Sequence, residues 1–196
     1  MERLTEEHIL AGCIKKEHKC MEMLYKQYSP SLYAIALRYT KSAEDAEDVL
    51  QDAFINIFEH IEQFSGKGSL QAWMSKIVIN QALFLYQQKL RRTLVDYDDY
   101  QEMLPDESIV VSDTLTHKTL LNLIRMLPEG YRIVFNLHEI EGYQYNEIAT
   151  LLNCSVSTCR SQLCKAKRVL QEAVKDFLKN ESNNISKLKS KKVINS

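Results

Sequence analysis

The chain has 196 residues, 45% hydrophobic and 26% charged, which is enough apolar material for one medium domain or two small ones and too much for disorder throughout. With only 5 Gly and 3 Pro, a loop-rich β sandwich, a collagen-like repeat and a Gly-rich phosphate-binding α/β fold are all excluded, and helices are favoured. A formal net charge of -1 speaks at first against nucleic acid, but the sum hides segregation along the chain.

No apolar run approaches the ~18 to 20 residues of a membrane span, and the stretch from Met1 to Glu7 is too charged for a signal peptide, so a cytoplasmic protein is expected. The amino-terminal stretch to about Thr40 reads as helix, with Ile9, Ile14, Met21, Leu24, Tyr25, Leu32, Ile35 and Ala36 as its core. Ser42, with Asp45 three residues on, opens a second helix, in which Ala46, Val49, Leu50, Ala53, Phe54, Ile57 and Ile61 keep the i, i+3, i+4 spacing. Around that stripe, Lys41 to Glu62 sets a single Lys against Glu44, Asp45, Glu47, Asp48, Asp52, Glu59 and Glu62. The sign then reverses. Residues 63–92 carry Lys67, Lys76, Lys89, Arg91 and Arg92 with no carboxylate, interleaved with Phe64, Trp73, Phe84 and Tyr86. After a loop over Ser65 to Ser69, a long helix fits Gln71 to Leu90, with Ala72, Trp73, Ile77, Ile79, Leu83 and Phe84 on its apolar face.

From Thr93 to His117 come Asp96, Asp98, Asp99, Glu102, Asp106, Glu107 and Asp113 with no Lys or Arg, around Pro105, which is the composition of a linker. The organisation is therefore a first domain over 1–92, an acidic linker over 93–114, a second domain over 115–179, and a Lys-rich tail over 180–196 expected to be disordered. In the second domain helices are expected near 115–126, 129–140, 145–152 and 156–178, and no strand is needed anywhere. The fold class is all-α, two small helical domains joined by the linker.

Residues 145–163 have the build of a helix-turn-helix: Ala149 is small where two helices approach, Ile148 and Leu152 face inward, and Ser155 is placed to cap the second helix. At 100° per residue, Val156, Cys159, Leu163, Ala166, Leu170 and Val174 share one side of that helix. Ser161, Cys164, Lys165 and Arg168 lie opposite with Arg160 on the flank, the arrangement by which a recognition helix meets a major groove. The plainer alternative is a helical hairpin with a solvated basic face. In the first domain, cations among aromatics suit an unpaired nucleic-acid strand, which needs charge for phosphates and π faces for bases. Trp73 and Phe84 at helical spacing could equally be core.

Asp45, Asp48 and Asp52 fall on one face opposite the apolar stripe, as a solvated surface or a dock for a basic partner would. Five scattered cysteines and five histidines show neither a disulfide framework nor metal-ligand spacing, so no metal, cofactor or enzyme site is indicated.

Several runs together, DAEDVLQDAF over 45–54, FSGKGSLQAW over 64–73 with KIVIN over 76–80, and LPEGYR over 127–132 with EGY over 141–143 and EIA over 147–149, resemble bacterial extracytoplasmic-function sigma factors across about residues 18–178. The resemblance implies a region 2 bundle and a region 4 helix-turn-helix that bind core RNA polymerase and promoter DNA, with an anti-sigma factor as a further partner and no cofactor. It implies core-polymerase docking by Asp45, Glu47, Asp48, Gln51 and Asp52. It implies contact with the single-stranded minus-ten element by Ser65, Gly66, Lys67, Gly68, Ser69, Trp73, Lys76, Asn80, Arg91 and Arg92. Reading of the double-stranded minus-thirty-five element falls to Ser157, Thr158, Arg160, Ser161, Cys164, Lys165 and Arg168. The turn departs from the family habit of a glycine and an aliphatic residue by carrying Asn153 and Cys154; Asn tolerates left-handed dihedrals.

Two other classes share parts of this pattern. A non-sigma helix-turn-helix regulator of the response-regulator kind requires alternating strands and helices with an acceptor Asp in its amino-terminal half, and a thiol redox sensor requires paired cysteines.

Overall fold

A computed structural model describes the backbone of residues 5–93 and 117–194, and the side chains of 5–91 and 119–179. Every regular element among the described residues is a helix. The chain divides into two units, Met1–Asp99 and Tyr100–Ser196. Of the acidic linker expected over 93–114, Thr93 is helical and residues 94–114 lie outside the described residues.

The first unit packs four helices: α1 (Glu6–Ile14), α2 (His18–Tyr39), α3 (Ala43–His60, ending in a short 3-10 turn) and α4 (Leu70–Thr93). The amino-terminal stretch expected as helix to Thr40 is thus broken once, at Lys15 to Glu17, where Lys16 takes a left-handed φ of 59° and the Glu17 N–H closes back on the Gly12 carbonyl at 2.9 Å. Leu24, Leu32, Ala36, Ala46, Val49, Ala53, Ile57, Met74 and Val78 are buried between α2, α3 and α4. Burial at this density stabilises the bundle by about 1.5–3 kcal/mol per large aliphatic side chain.

The inward face of α4 differs from the expectation. Leu70, Met74, Val78, Ile79, Ala82 and Leu83 are buried, while Ala72 and Phe84 are exposed and Trp73 and Ile77 half-buried. With apolar residues on all sides of this helix, periodicity alone does not say which arc meets α2 and α3. In α1 and α2, Ile14 and Tyr25 face outward, Met21 and Ile35 are half-buried, and Cys13, Cys20, Tyr28 and Tyr39 fill core positions instead.

In the second unit, α5 (His117–Arg125) and α6 (Glu129–Phe135) meet at the Leu127–Pro128 corner, and α6 runs into a π-helical turn over Asn136–Ile140. α7 (Tyr145–Leu152) and α8 (Val156–Ile194) follow. Ile124, Leu127, Ala166 and Leu170 form one buried cluster, flanked by Leu123, Tyr131, Phe135 and Val169. The corner is held by Arg132, which is 1% exposed: its Nη1 donates to the carbonyls of Arg125 at 3.1 Å and Leu127 at 3.2 Å, and Glu129 lies 3.8 Å from Nη2. A buried guanidinium is tolerable only with such acceptors, here the carbonyls that the end of α5 leaves without helical partners.

The backbone of α8 stays helical to Ile194, past the end expected near 178 and through the stretch expected to be a disordered tail. Neither Gly nor Pro occurs after Val156, so nothing local terminates the helix.

Candidate nucleic-acid interface

α3 begins where expected, its Ser42 Oγ accepting the Asp45 N–H at 3.0 Å. Its polar face is not uniform. Glu47, Asp48 and Gln51 are exposed and have no hydrogen-bond or ion-pair partner among the described residues, and the exposed side chain of Ile55 extends the same face. Asp45, expected there as a free carboxylate, is instead tied to α4: Lys89 Nζ donates to its two oxygens at 2.9 and 2.8 Å. Burial pushes the Asp45 carboxyl up, but the Lys89 and Ser42 hydrogen bonds outweigh it and hold it below the usual carboxylate range. Asp52 accepts from Gln81 Nε2 at 2.9 Å. Asp45 and Asp52 thus bind α3 to α4, while Glu47 and Asp48, flanked by exposed Glu44 and Glu59, remain unengaged carboxylates of this helix.

The loop before α4 is exposed throughout from Ser65 to Ser69. Gly66 and Gly68 take φ of 73° and 87°, a backbone that side-chain-bearing residues rarely adopt, while the space around both is open. Glycine therefore serves the loop's shape here, not close packing. Ser69 does not offer a free hydroxyl, because its Oγ accepts the Ala72 N–H at 3.1 Å and caps α4. Trp73 leans on Phe64, ring centroids 5.8 Å apart, and so borders the loop without being lost in the core.

At 100° per residue Trp73, Lys76, Asn80, Phe84 and Arg91 fall within about 80° of one another on α4, opposite the buried arc. Lys76, Asn80 and Arg91 are exposed, and Phe84 is 57% exposed. Lys67 in the loop and this stripe form one cationic and aromatic surface without a carboxylate of its own. Trp73 and Phe84 are the members that periodicity left ambiguous between core and surface, and they come out half-buried and exposed; the side chain of Arg92 lies outside the described residues.

In the second unit α7 is capped by Glu147, which accepts the Gln144 N–H at 2.7 Å, and ends at Asn153 with φ 50° and ψ 49°. The left-handed turn lets the Cys154 N–H reach the Ala149 carbonyl at 3.0 Å. Ser155 Oγ then accepts the Thr158 N–H at 3.0 Å and starts α8, and Cys154 meets Cys159 across this cap with sulfurs 3.4 Å apart. Burial, then the contact with Cys154, raises the Cys159 thiol to about 11. Cys159, Leu163, Ala166 and Leu170 are buried as the spacing predicts, with Val156 and Val174 half-buried. Ser157, Arg160, Ser161, Cys164, Lys165 and Arg168 are exposed, and Thr158 is half-buried.

Two of the outward cations rest on aromatic rings that sequence reasoning did not single out. The Arg160 guanidinium carbon lies 5.4 Å from the Tyr145 ring centre and Lys165 Nζ lies 5.9 Å from that of Tyr131. Lys167 turns back to Glu139 at 2.9 Å. No group of three or more His, Cys, Asp or Glu side chains is placed to hold a metal ion among the described residues, and no described helix is long and apolar enough to cross a membrane.

Residues 24–92 match the sigma-70 region 2 family and residues 117–170 match the sigma-70 region 4 family. The chain is 27% identical over 190 residues to the ECF RNA polymerase sigma-E factor of Escherichia coli K12, covering 91% of this chain and 98% of that one. It is 26% identical over 175 residues to the RNA polymerase sigma-H factor of Pseudomonas aeruginosa PAO1, with 83% and 90% covered. Among solved structures it resembles the sigma factor RpoE of Bartonella quintana, crystallised with the anti-sigma factor NepR, at 23% identity and a TM-score of 0.48, over 79% of this chain and 96% of that one.

Proposed function

The chain belongs to the sigma-70 family, in its extracytoplasmic-function group, and is a sigma factor that directs promoter-specific transcription initiation; from that premise we propose how its surfaces divide the work. The exposed turn of α3 around Glu47, Asp48 and Gln51, with Ile55 beside it, docks on a basic surface of core RNA polymerase. Asp45 and Asp52 contribute by holding α3 against α4. The Ser65–Ser69 loop and the α4 stripe of Trp73, Lys76, Asn80 and Arg91 receive the opened strand of the minus-ten element. Cations meet its phosphates there, and the aromatic edge offers stacking to an extruded base, whose unstacking costs a few kcal/mol.

The second unit reads the minus-thirty-five element as duplex, α8 entering the major groove with Arg160, Ser161, Lys165 and Arg168 outward. The observation that carries this division is that each unit presents one exposed cationic face, aromatic in the first and placed on the second helix of a helix-turn-helix in the other. Charge for phosphates is common to both; in the first the exposed Phe84 and half-buried Trp73 offer π surface for unpaired bases, whereas the half-buried Tyr131 and Tyr145 of the second lie under its cations. An anti-sigma factor is the regulatory partner this family reading brings, and the site of action is the cytoplasm. No chemistry is assigned to the chain itself: it lends promoter choice to the polymerase.

Permanganate footprinting of holoenzyme on a linear promoter tests the division. N80A should bind the promoter and leave its thymines unreactive, whereas R160A should lose binding in step with opening and recover both at high protein concentration. Equal opening by N80A and wild type would remove Asn80 from the melting surface.

A further inference from the structure

The exposed guanidinium of Arg160 is held from behind. His138 sits in the π-helical turn after α6, and its Nδ1 lies 2.8 Å from the Tyr143 carbonyl; a carbonyl only accepts, so Nδ1 carries the proton and the imidazole plane is fixed. The Tyr145 ring stacks on that imidazole with centroids 4.4 Å apart and planes 30° apart. Arg160, one turn into α8, lies over the Tyr145 ring at 5.4 Å. The three side chains come from three separate elements; Arg160 is exposed and the other two are half-buried.

We propose that Tyr145, backed by His138, is a positioning residue for Arg160 in minus-thirty-five recognition. A guanidinium attracted to an aromatic ring spends no N–H donor on that contact, so its donors stay available to phosphate and guanine acceptors. A free arginine samples many rotamers and loses them on binding DNA; one already drawn over an aromatic ring loses fewer, so the same contact yields tighter binding. The tyrosine and histidine need not touch DNA to act. Their effect passes through Arg160 and therefore vanishes when Arg160 is absent. Lys165 over Tyr131 at 5.9 Å is the looser counterpart on the other flank.

The inference rests on the assignment of Arg160 to the minus-thirty-five element, and one experiment separates the two. Holoenzyme affinity for a promoter duplex is measured for wild type, R160A, Y145F, Y145L, H138A and the double variant Y145L/R160A, with thermal melts checking each fold. Y145L keeps apolar bulk without a π face and should bind about two- to five-fold more weakly. Y145F should bind as wild type, H138A should fall between, and the double variant should equal R160A alone. Independent losses that multiply in the double variant would overturn the positioning role. A Y145F deficit as large as that of Y145L would also overturn it, placing the hydroxyl on the DNA instead. Wild-type affinity in R160A would overturn the assignment of Arg160 itself, and the inference with it.

Discussion

Reversing Asp45 and reversing Asp48 are superficially the same change on the same acidic helix, yet their consequences should be opposite. Asp45 is the third residue of α3, where a carboxylate favours the helix's positive end by about 0.3–1 kcal/mol, and D45K turns that into a similar penalty. Its partner Lys89, bonded at 2.8 and 2.9 Å, is partly exposed, with 40% of its side chain in solvent and 24% of that of Asp45. Discounted for that exposure, the lost pair is worth about 0.5–1 kcal/mol, and the two lysines left facing each other add a comparable repulsion. D45K should therefore cost roughly 1.5–4 kcal/mol, a large fraction of the margin of a small bundle. D48K removes no contact among the described residues and should cost under ~0.5 kcal/mol while weakening core polymerase binding. Trp73, the only tryptophan, sits half-buried in this unit, so its fluorescence in urea follows the unfolding of the first unit separately from the second. The charge swap D45K/K89D restores the pair but leaves a cation at the helix start, and should recover about half of the loss. Equal urea midpoints for D45K and D48K, or a swap no more stable than D45K, would mean that the Asp45–Lys89 pair does not hold α3 against α4.

Because the Asp45 carboxyl is held below its ordinary 3.8, its stabilising contribution is complete above that pH and is lost as pH falls through the lowered value; the stability gap between wild type and D45N should be constant from pH 5 to 7 and close only in strong acid, as read by Trp73 fluorescence. N153G should leave the melting temperature of the second unit nearly unchanged, whereas N153V, which forces a β-branched residue into the left-handed region, should destabilise it by about 1–2 kcal/mol. Iodoacetamide at pH 8 should modify exposed Cys164 first, while Cys159 and Cys13, both raised to about 11 chiefly by burial, stay protected until urea is added; peptide mass mapping gives the order. F84A, at a side chain 57% exposed, should barely change stability but reduce permanganate reactivity at the minus-ten element.

What the sequence made legible was local. Ser42, Ser155 and Asn153 act within three or four residues of themselves, and each caps or turns its helix as its side chain predicts. The buried side of α8 was readable because its apolar residues form one narrow stripe; the inward arc of α4 was not, because apolar residues surround that helix and only α2 and α3 select among them. The larger misses are contacts between residues distant in sequence. Lys89 reaches Asp45 across 44 positions, an interhelical tie that no local spacing announces, and Gln81 engages Asp52 across 29. Arg132 carries no local signal of burial; only the carbonyls at the end of α5 converging on it make its place in the core intelligible. Tyr145 and His138 carry no motif of their own for supporting an arginine, and their stacking depends on a π-helical turn that no spacing rule announces.

The central claim is that this chain confers promoter choice on core RNA polymerase through two separate DNA-reading units. Run-off transcription in vitro, with purified core enzyme and the purified chain on templates bearing candidate promoters, tests it most directly. Transcripts should appear from defined starts only when the chain is added, and be lost when either the minus-ten or the minus-thirty-five element is scrambled. Transcription unchanged by the chain on every template, although the chain binds core enzyme, would contradict it.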